Sequence, residues 1–357
     1  MPVSKTDWMS SAPVYPTNAK AGKPIFSFLN RLVRGENLTQ DGAAAFYRAL
    51  SGDNPDGPQL SGAIVALTAK GVTSEELAGM AIVMRSAATA VTGVDKTAVD
   101  IAGTGSPHTA AFDISTAAAL VAAGAGLPIA KQRKAFSGSL DVLKELGVKT
   151  AAEPNAAKIS FSGTGVCFLD SLKFHPKLET VNQMCARLGL MTCFDFLPLL
   201  ANPASVSRLL VGVWHRSLVE PVAEALALLK TERAWVVHGS DGLDAITLNG
   251  ETFVAIVEKG KVRLRAISPS DFGLKAGVIS QLQTETAKQS AGIIRDVLAS
   301  RRRDEARHLV VLNAAAALVI GGIAKEPMQG ARLAEQSIDS GQAQNKLERL
   351  IQVTNKI

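Results

Sequence analysis

The sequence predicts an α/β protein in two parts: a small N-terminal helical domain, then a larger α/β domain built on a mostly parallel central sheet. Three observations predict it. Residues 26–92 alternate apolar and polar positions at helical spacing, with breaks at Gly52–Pro58 and at Gly71. At Ala98-Val-Asp-Ile-Ala the pattern changes to a short β-compatible run closed by Gly103-Thr104-Gly105. Beyond it, β-like runs alternate with helical stretches to near residue 350, the pattern of a parallel sheet covered by helices.

Composition bounds the answer. The chain has 357 residues, 47% apolar, 20% charged and 5% aromatic, enough for one large or two unequal packed domains, and this excludes disorder, collagen and coiled coil. Its 38 Lys+Arg against 32 Asp+Glu give a formal charge of +6, which permits an anionic partner without requiring one. The three cysteines, at 167, 185 and 193, are odd in number and lack CxxC spacing, so neither a disulfide framework nor a cysteine zinc site is expected. A reducing cytoplasm is the expected compartment. The first residues mix charged and polar groups where an export signal needs an apolar core. The most apolar late stretch, Leu309–Ile323, is interrupted by Asn313 and falls short of the roughly twenty residues a spanning helix needs. It reads as a buried helix, and no membrane partner is expected.

Taken in order, residues 1–24 carry four prolines among small polar residues and read as an arm. Residues 25–95 form the small helical domain. In Gly71-Val-Thr-Ser-Glu-Glu-Leu, Thr73 caps the first unpaired amides and Glu76 reaches back, a capping box ahead of a helix over Leu77–Ala90. Residues 96–173 and 191–350 form the α/β domain, with strands expected at Ala98–Ala102, Leu127–Ala130, Lys158–Phe161, Arg208–Val213, Trp235–His238 and Phe253–Lys259. A small-residue helix is expected over Ile114–Ala125 and another over Leu140–Leu146. Helices over 174–190 are expected to return to the small domain.

Three segments have the makings of a site. In Gly103-Thr104-Gly105, followed by Phe112-Asp113-Ile-Ser115-Thr116, glycines let a ligand approach the backbone, and the amides at Ser115 and Thr116 sit at the positive end of a helix, so the pair suits phosphate. A strand-to-helix turn of purely structural purpose has the same signature. In Lys131-Gln-Arg133-Lys134-Ala-Phe-Ser137-Gly-Ser139, three cations precede hydroxyls that can cap the next helix, which again suits phosphate, although such a run can equally face water. In Val237-His-Gly-Ser-Asp241-Gly-Leu-Asp244, two exposed carboxylates at a strand end can hold Mg²⁺ or simply form a turn. The histidines at 108, 175, 215, 238 and 308 have no metal-ligand spacing, and Arg301–Arg303 reads as a solvated helix end.

These segments, in this order, resemble the anthranilate phosphoribosyltransferase family, which shares its fold with the pyrimidine nucleoside phosphorylases. The resemblance runs from about residue 25 to 350 and is carried by Gly71-Val-Thr-Ser-Glu-Glu-Leu-Ala-Gly, the GTG turn with Phe112-Asp-Ile-Ser-Thr, Phe174-His-Pro, Asn202-Pro, Val237-His-Gly-Ser-Asp-Gly-Leu-Asp and Leu312-Asn-Ala-Ala-Ala. It implies phosphoribosyl pyrophosphate bound with Mg²⁺ at the strand ends, an acceptor toward the small helical domain near His175 and Cys185, and a homodimer through that domain.

Measured against the family pattern, Gly-Thr-Gly-Gly-Asp becomes Gly103-Thr104-Gly105-Ser106-Pro107, and Asn-Ile-Ser-Thr becomes Asp113-Ile-Ser115-Thr116. The substitution replaces an amide that can donate to phosphate by a carboxylate that only accepts. The family's Lys-His-Gly-Asn-Arg stretch becomes Lys131-Gln-Arg133-Lys134-Ala, its Asp-Glu metal pair becomes Asp244-Ala245, and the arginine that faces the anthranilate carboxylate falls on Cys185. A single aspartate should hold Mg²⁺ less well, so magnesium is only weakly expected. The leading expectation is therefore a divergent member that binds a phosphorylated sugar or other anionic ligand and transfers phosphoribosyl to an acceptor other than anthranilate. The alternative is an inactive relative that serves as a binding or regulatory protein, with nucleic acid as one such partner.

Overall fold

The computed structural model describes residues 24–53, 55–105, 111–133 and 139–357. Lys134, Phe136, Ser137, Ser106 and Pro107, and nearly all of the expected arm, lie outside the described residues.

The N-terminal bundle consists of α1 (Pro24–Val33), α2 (Gln40–Leu50), α3 (Gly57–Lys70) and α4 (Ser74–Ser86). Each of the last three starts at a side chain that accepts a backbone N–H: Thr39 from Gly42, Asp56 from Gln59 and Thr73 from Glu76. The capping box at Thr73 and Glu76 forms as its spacing predicts. Glu76 does more than cap. Its buried carboxylate also accepts from the Leu38 amide at 2.8 Å and from Lys70 Nζ at 2.9 Å, so one side chain fixes the loop before α2, the end of α3 and the start of α4. A carboxylate leaves water at low cost only when its oxygens are this fully met.

The larger domain runs β1 (Val99–Gly103), α5 (Ile114–Gly124), β2 (Ile129–Arg133), α6 (Ser139–Glu145), α7 (Pro154–Thr164), β3 (Val166–Asp170), α8 (Ser171–Phe174), α9 (Glu179–Leu188), β4 (Arg208–Gly212), α10 (Val219–Leu228), β5 (Arg233–Gly239), β6 (Thr252–Glu258), β7 (Lys261–Ile267), α11 (Ala287–Leu298), α12 (Glu305–Gly321), α13 (Pro327–Asp339) and α14 (Gln342–Thr354). Among the described residues the strands make one sheet, ordered β3-β2-β1-β4-β5-β6-β7. The first five are parallel, and β6 and β7 add antiparallel at one edge. From β1 the chain builds outward to β3 and then crosses back to β4, so the strand order reverses between β1 and β4. Ligands in open α/β sheets bind beyond the strand carboxyl ends at such a reversal.

Two expectations change here. Lys158–Phe161 is not a strand but lies in α7, which has Pro154 in its first turn and Gly165 as a left-handed C-cap at φ +73°. The strand of that unit is the next segment, β3. The edge strand β7 is an addition: its Lys261, Arg263 and Arg265 leave most of it exposed, so it carries no buried apolar signature.

Helix α12 is buried nearly throughout, as expected of the late apolar stretch. Among the described residues no helix is long and apolar enough to cross a membrane. The segment after β3 packs on the bundle: Leu178, Val181 and Cys185 share a core with α1–α4, and Ser61 Oγ meets Met184 Sδ at 2.9 Å.

Candidate functional site at the reversal of strand order

Gly103 ends β1 and Gly212 ends β4, and the two are paired in register. Both are glycine for a reason of space. A β-carbon on Gly212 would overlap the Asp244 main chain, and one on Gly103 would overlap the Asp244 carboxylate. The segment after β5 thus crosses the mouth of the crevice. Asp244 Oδ2 accepts the Gly105 amide at 2.7 Å, and the Thr104 amide donates to Gly212 O at 3.1 Å. Gly105 sits at φ +82°, a conformation open to glycine with little strain.

Asn313, the polar break in the apolar run of α12, holds this segment from below. Its Oδ1 accepts the Ile246 amide at 3.0 Å and its Nδ2 donates to Ile246 O at 2.9 Å. Asp241 serves the turn itself, accepting from the Leu243 amide and from Thr247 Oγ1, and it is half-buried rather than exposed.

The start of α5 uses its donors internally. Asp113 Oδ1 accepts the Thr116 amide at 3.0 Å and Ser115 Oγ at 2.9 Å, and Oδ2 accepts Thr116 Oγ1 at 2.7 Å. Burial works to raise the Asp113 carboxyl, but Lys131 and the Thr116 and Ser115 hydrogen bonds hold it below the usual carboxylate range. Lys131 is itself buried, its Nζ donating to Ile101 O at 2.6 Å and Ser115 Oγ at 2.9 Å. Burial lowers its pKa, with Asp113 and Asp100 opposing. The expected phosphate donors Ser115, Thr116 and Lys131 therefore come together: Ser115 and Thr116 donate to the internal Asp113 carboxylate, and Lys131 reaches it through Ser115.

Arg133, on the same face of β2 as Lys131, is 2% exposed, and among the described residues none of its guanidinium nitrogens has a hydrogen-bond partner. Burial pulls its pKa down to about 10, with Asp113, Asp170 and Asp141 opposing through their charge. Ser139 opens α6.

Beneath these residues Asp100 occupies the gap where β1 and β2 part after a single paired position, Val99 with Ile129. Its carboxylate accepts the Gln132 amide at 3.1 Å and Asn202 Nδ2 at 2.8 Å. Burial pushes Asp100 up to about 6, against Lys131 and those hydrogen bonds.

On the bundle side lie His175 and Cys185. His175 is buried, which lowers its pKa to about 4 against the Ala201 and Met84 carbonyls, so the ring is neutral near pH 7. Cys185 is buried, with Sγ 3.4 Å from Thr192 Oγ1. Gln132 and Ser171, absent from the expected site, also come here. Gln132 lies within the charged Lys131–Lys134 run but is its neutral member, Ser171 belongs to no motif, and only the strand register brings the two forward.

Among the described residues, the donors at this site do not fit a magnesium ion held by the protein. Asp244 stands beside Ala245 and has a carboxylate oxygen committed to the Gly105 amide, and no cluster of three or more His, Cys, Asp or Glu side chains suited to a metal occurs among the described residues.

A helical bundle set against a largely parallel sheet, with its crevice at the strand reversal, is the architecture of a glycosyl transferase family. The model of that family's α/β domain matches residues 95–344 and the model of its helical bundle domain matches residues 26–88, and the chain belongs to this family. Within it, the chain is similar to curated anthranilate phosphoribosyltransferases. One from Xanthobacter autotrophicus is 36% identical over 94% of this chain and 97% of its own, and one from Azorhizobium caulinodans is 38% identical over 92% and 96%. Among solved structures, anthranilate phosphoribosyltransferase from Thermus thermophilus superposes with a TM-score of 0.85 at 32% identity, covering 92% of this chain and 99% of that one. The Saccharomyces cerevisiae enzyme in complex with PRPP and Mg, at 23% identity and a TM-score of 0.84 over 94% and 99%, shares the fold.

Proposed function

We propose that the chain binds a phosphorylated sugar or similar anion, of the phosphoribosyl pyrophosphate type, at the carboxyl ends of β1 and β2, and transfers phosphoribosyl to an acceptor other than anthranilate. In that transfer the bond from the anomeric carbon to pyrophosphate breaks, its electron pair leaving with pyrophosphate. An acceptor nitrogen forms the new bond and releases its proton to solvent. The protein's part is to orient both substrates and neutralise the departing anion.

The observation that carries the reading is Arg133. A buried guanidinium with five unused donors is costly, and a phosphate or pyrophosphate oxygen pair would match its planar fork. Arg133 would thus supply positive charge where the Asp244-Ala245 pair is poorly equipped to recruit a metal. Cys185, at the place where the resemblance puts a carboxylate-binding arginine, argues against anthranilate: an unpaired buried carboxylate costs roughly 3–5 kcal/mol. The test is calorimetry with phosphoribosyl pyrophosphate, with and without Mg²⁺, on the wild type and Arg133→Met. Binding without metal that weakens at least about a hundredfold in the variant supports the reading. Absence of heat in both conditions removes the donor site.

A second reading, a catalytically inactive binding protein, is favoured by one observation: the Asp113 carboxylate already occupies the α5 donors that a phosphate would use. Anisotropy with labelled DNA and RNA over a salt series separates the two, since binding through phosphates falls steeply with salt. A homodimer through the bundle is part of the proposal, supported by the exposed apolar side chains Val33, Val65 and Ile82 on α1, α3 and α4.

A further inference from the structure

We infer that Gln132 and Ser171 form the acceptor subsite, and that it takes an uncharged acceptor with an amide-type edge, an N–H beside a C=O, in place of a carboxylate. This deepens the transferase reading and rests on it for the identity of the reaction, but the subsite is argued from its own residues.

Side chains alternate along β2, so Gln132 points away from Lys131 and Arg133. It shares the face of Leu169, its register partner on β3, which packs with Ala130 and Phe174 in a small core, and of Ala102 on β1, which packs in the core shared with the helical bundle. On that side β2 abuts Asn202, whose Nδ2 donates to Ala130 O. Gln132 thus lies between the sheet and the bundle, where the resemblance places the acceptor.

Gln132 is fully buried, and among the described residues neither its Oε1 nor its Nε2 has a hydrogen-bond partner. Ser171 follows β3 directly, also fully buried, with its Oγ unpartnered among the described residues. Buried polar groups are nearly always paired, so neighbouring strand ends that each carry an unmet group mark a place where something else supplies the partner. A primary amide presents a donor and an acceptor side by side. Its complement is a group with the same pair reversed, a lactam or a carboxamide.

Charge on this face points the same way. The His175 ring is neutral, and a thiol stands at Cys185. Arg85, the cation that reaches the 197–200 segment, donates Nε to Leu200 O at 2.7 Å and Nη1 to Leu229 O at 3.4 Å. A carboxylate would meet Gln132 Oε1 as a second acceptor. A neutral ring with N–H and C=O would satisfy both amide atoms, and a site built to hydrogen-bond such groups rejects ligands that lack them.

The experiment uses the full chain with uracil, 2-pyridone and nicotinamide as neutral probes and anthranilate as the carboxylate probe, read by calorimetry and saturation-transfer NMR. The wild type is expected to bind at least one neutral probe more tightly than anthranilate. Gln132→Leu should weaken that binding at least about tenfold, from two lost hydrogen bonds, and Ser171→Ala should weaken it at least about threefold. Gln132→Leu should also raise the unliganded Tm, because an unmet buried amide becomes an apolar group of similar size; a structural glutamine would lower it. The inference is overturned if none of the three neutral probes binds, if anthranilate binds more tightly, or if both variants leave affinity unchanged. Phosphoribosyl pyrophosphate is titrated in parallel. Its failure to bind, with Gln132-dependent probe binding intact, removes the transferase reading and leaves the subsite standing.

Discussion

The Gly105 amide donates to the Asp244 carboxylate at 2.7 Å across 139 positions of sequence, and this hydrogen bond ties the turn after β1 to the segment after β5. The closeness of that packing is what Gly103 and Gly212 permit. Gly212→Ala would drive a methyl group into the Asp244 main chain and should cost at least about 3 kcal/mol. Gly105→Ala meets nothing within 4 Å among the described residues and should cost about 1 kcal/mol, from its positive φ. Urea denaturation of the two variants measures the contrast, and equal losses would contradict this account of the crevice.

Asp113→Asn keeps a capping oxygen for the Thr116 amide but removes the negative charge that any phosphate at α5 would have to face. Affinity for inorganic pyrophosphate, read by calorimetry, should rise at least about fivefold. Stability should fall by about 1–3 kcal/mol, because Lys131 loses the Asp113 charge while Asp100 and Asp244 remain. Unchanged affinity would mean that Asp113 does not stand in the anion's way.

Two buried groups make opposing contributions to stability across the same acidic window. Asp100 has a folded pKa raised from 3.8 to about 6, so its contribution is full below pH 3.8 and is lost as pH rises through 6. His175 has a folded pKa lowered from 6.5 to about 4, so its contribution is full above pH 6.5 and is lost as pH falls through 4. Each amounts to about 3 kcal/mol. The wild type should therefore show little net slope from these two groups between pH 4 and 6.5. His175→Phe should make unfolding free energy decline as pH rises through that range, and denaturant titrations at half-unit pH steps would show it. A stability that instead rises with pH in the variant would contradict the assignment.

The bundle's exposed Val33, Val65 and Ile82 should be covered by a second copy. Light scattering coupled to size-exclusion chromatography at micromolar concentration should report about twice the 37.4 kDa chain mass. Val65→Glu should shift that mass toward the monomer while leaving the helix content unchanged. A 37 kDa species in the wild type would remove the dimer from the proposal.

Local signals carried much of the fold. Thr73 with Glu76, the glycines at 103 and 105, and the small-residue run after Asp113 each name an element through chemistry confined to a few neighbours. Lys158–Phe161 misled because Ile, Ser and Phe in succession suit a strand, whereas Pro154 and Gly165 set the limits of a helix around them. The site was less legible. Ser115, Thr116 and Lys131 were found by residue type, but their convergence on Asp113 depends on contacts between α5 and β2 that no local pattern encodes. Gln132 and Ser171 were missed because neutral polar side chains in short strands and turns carry no periodicity. What distinguishes them is the lack of a partner after folding.

Among the described residues, the outer strand β7 has no neighbouring strand on one side of its backbone, and Leu264 on it is 58% exposed. Such an edge is a template on which a second chain can extend the sheet, and Lys261, Arg263 and Arg265 set like charges along it. Two molecules meeting there edge to edge would bring these cations together before any amide could pair. The basic character that elsewhere invites an anion thus also acts as a guard against runaway self-association, which keeps the open sheet from becoming the seed of a fibre.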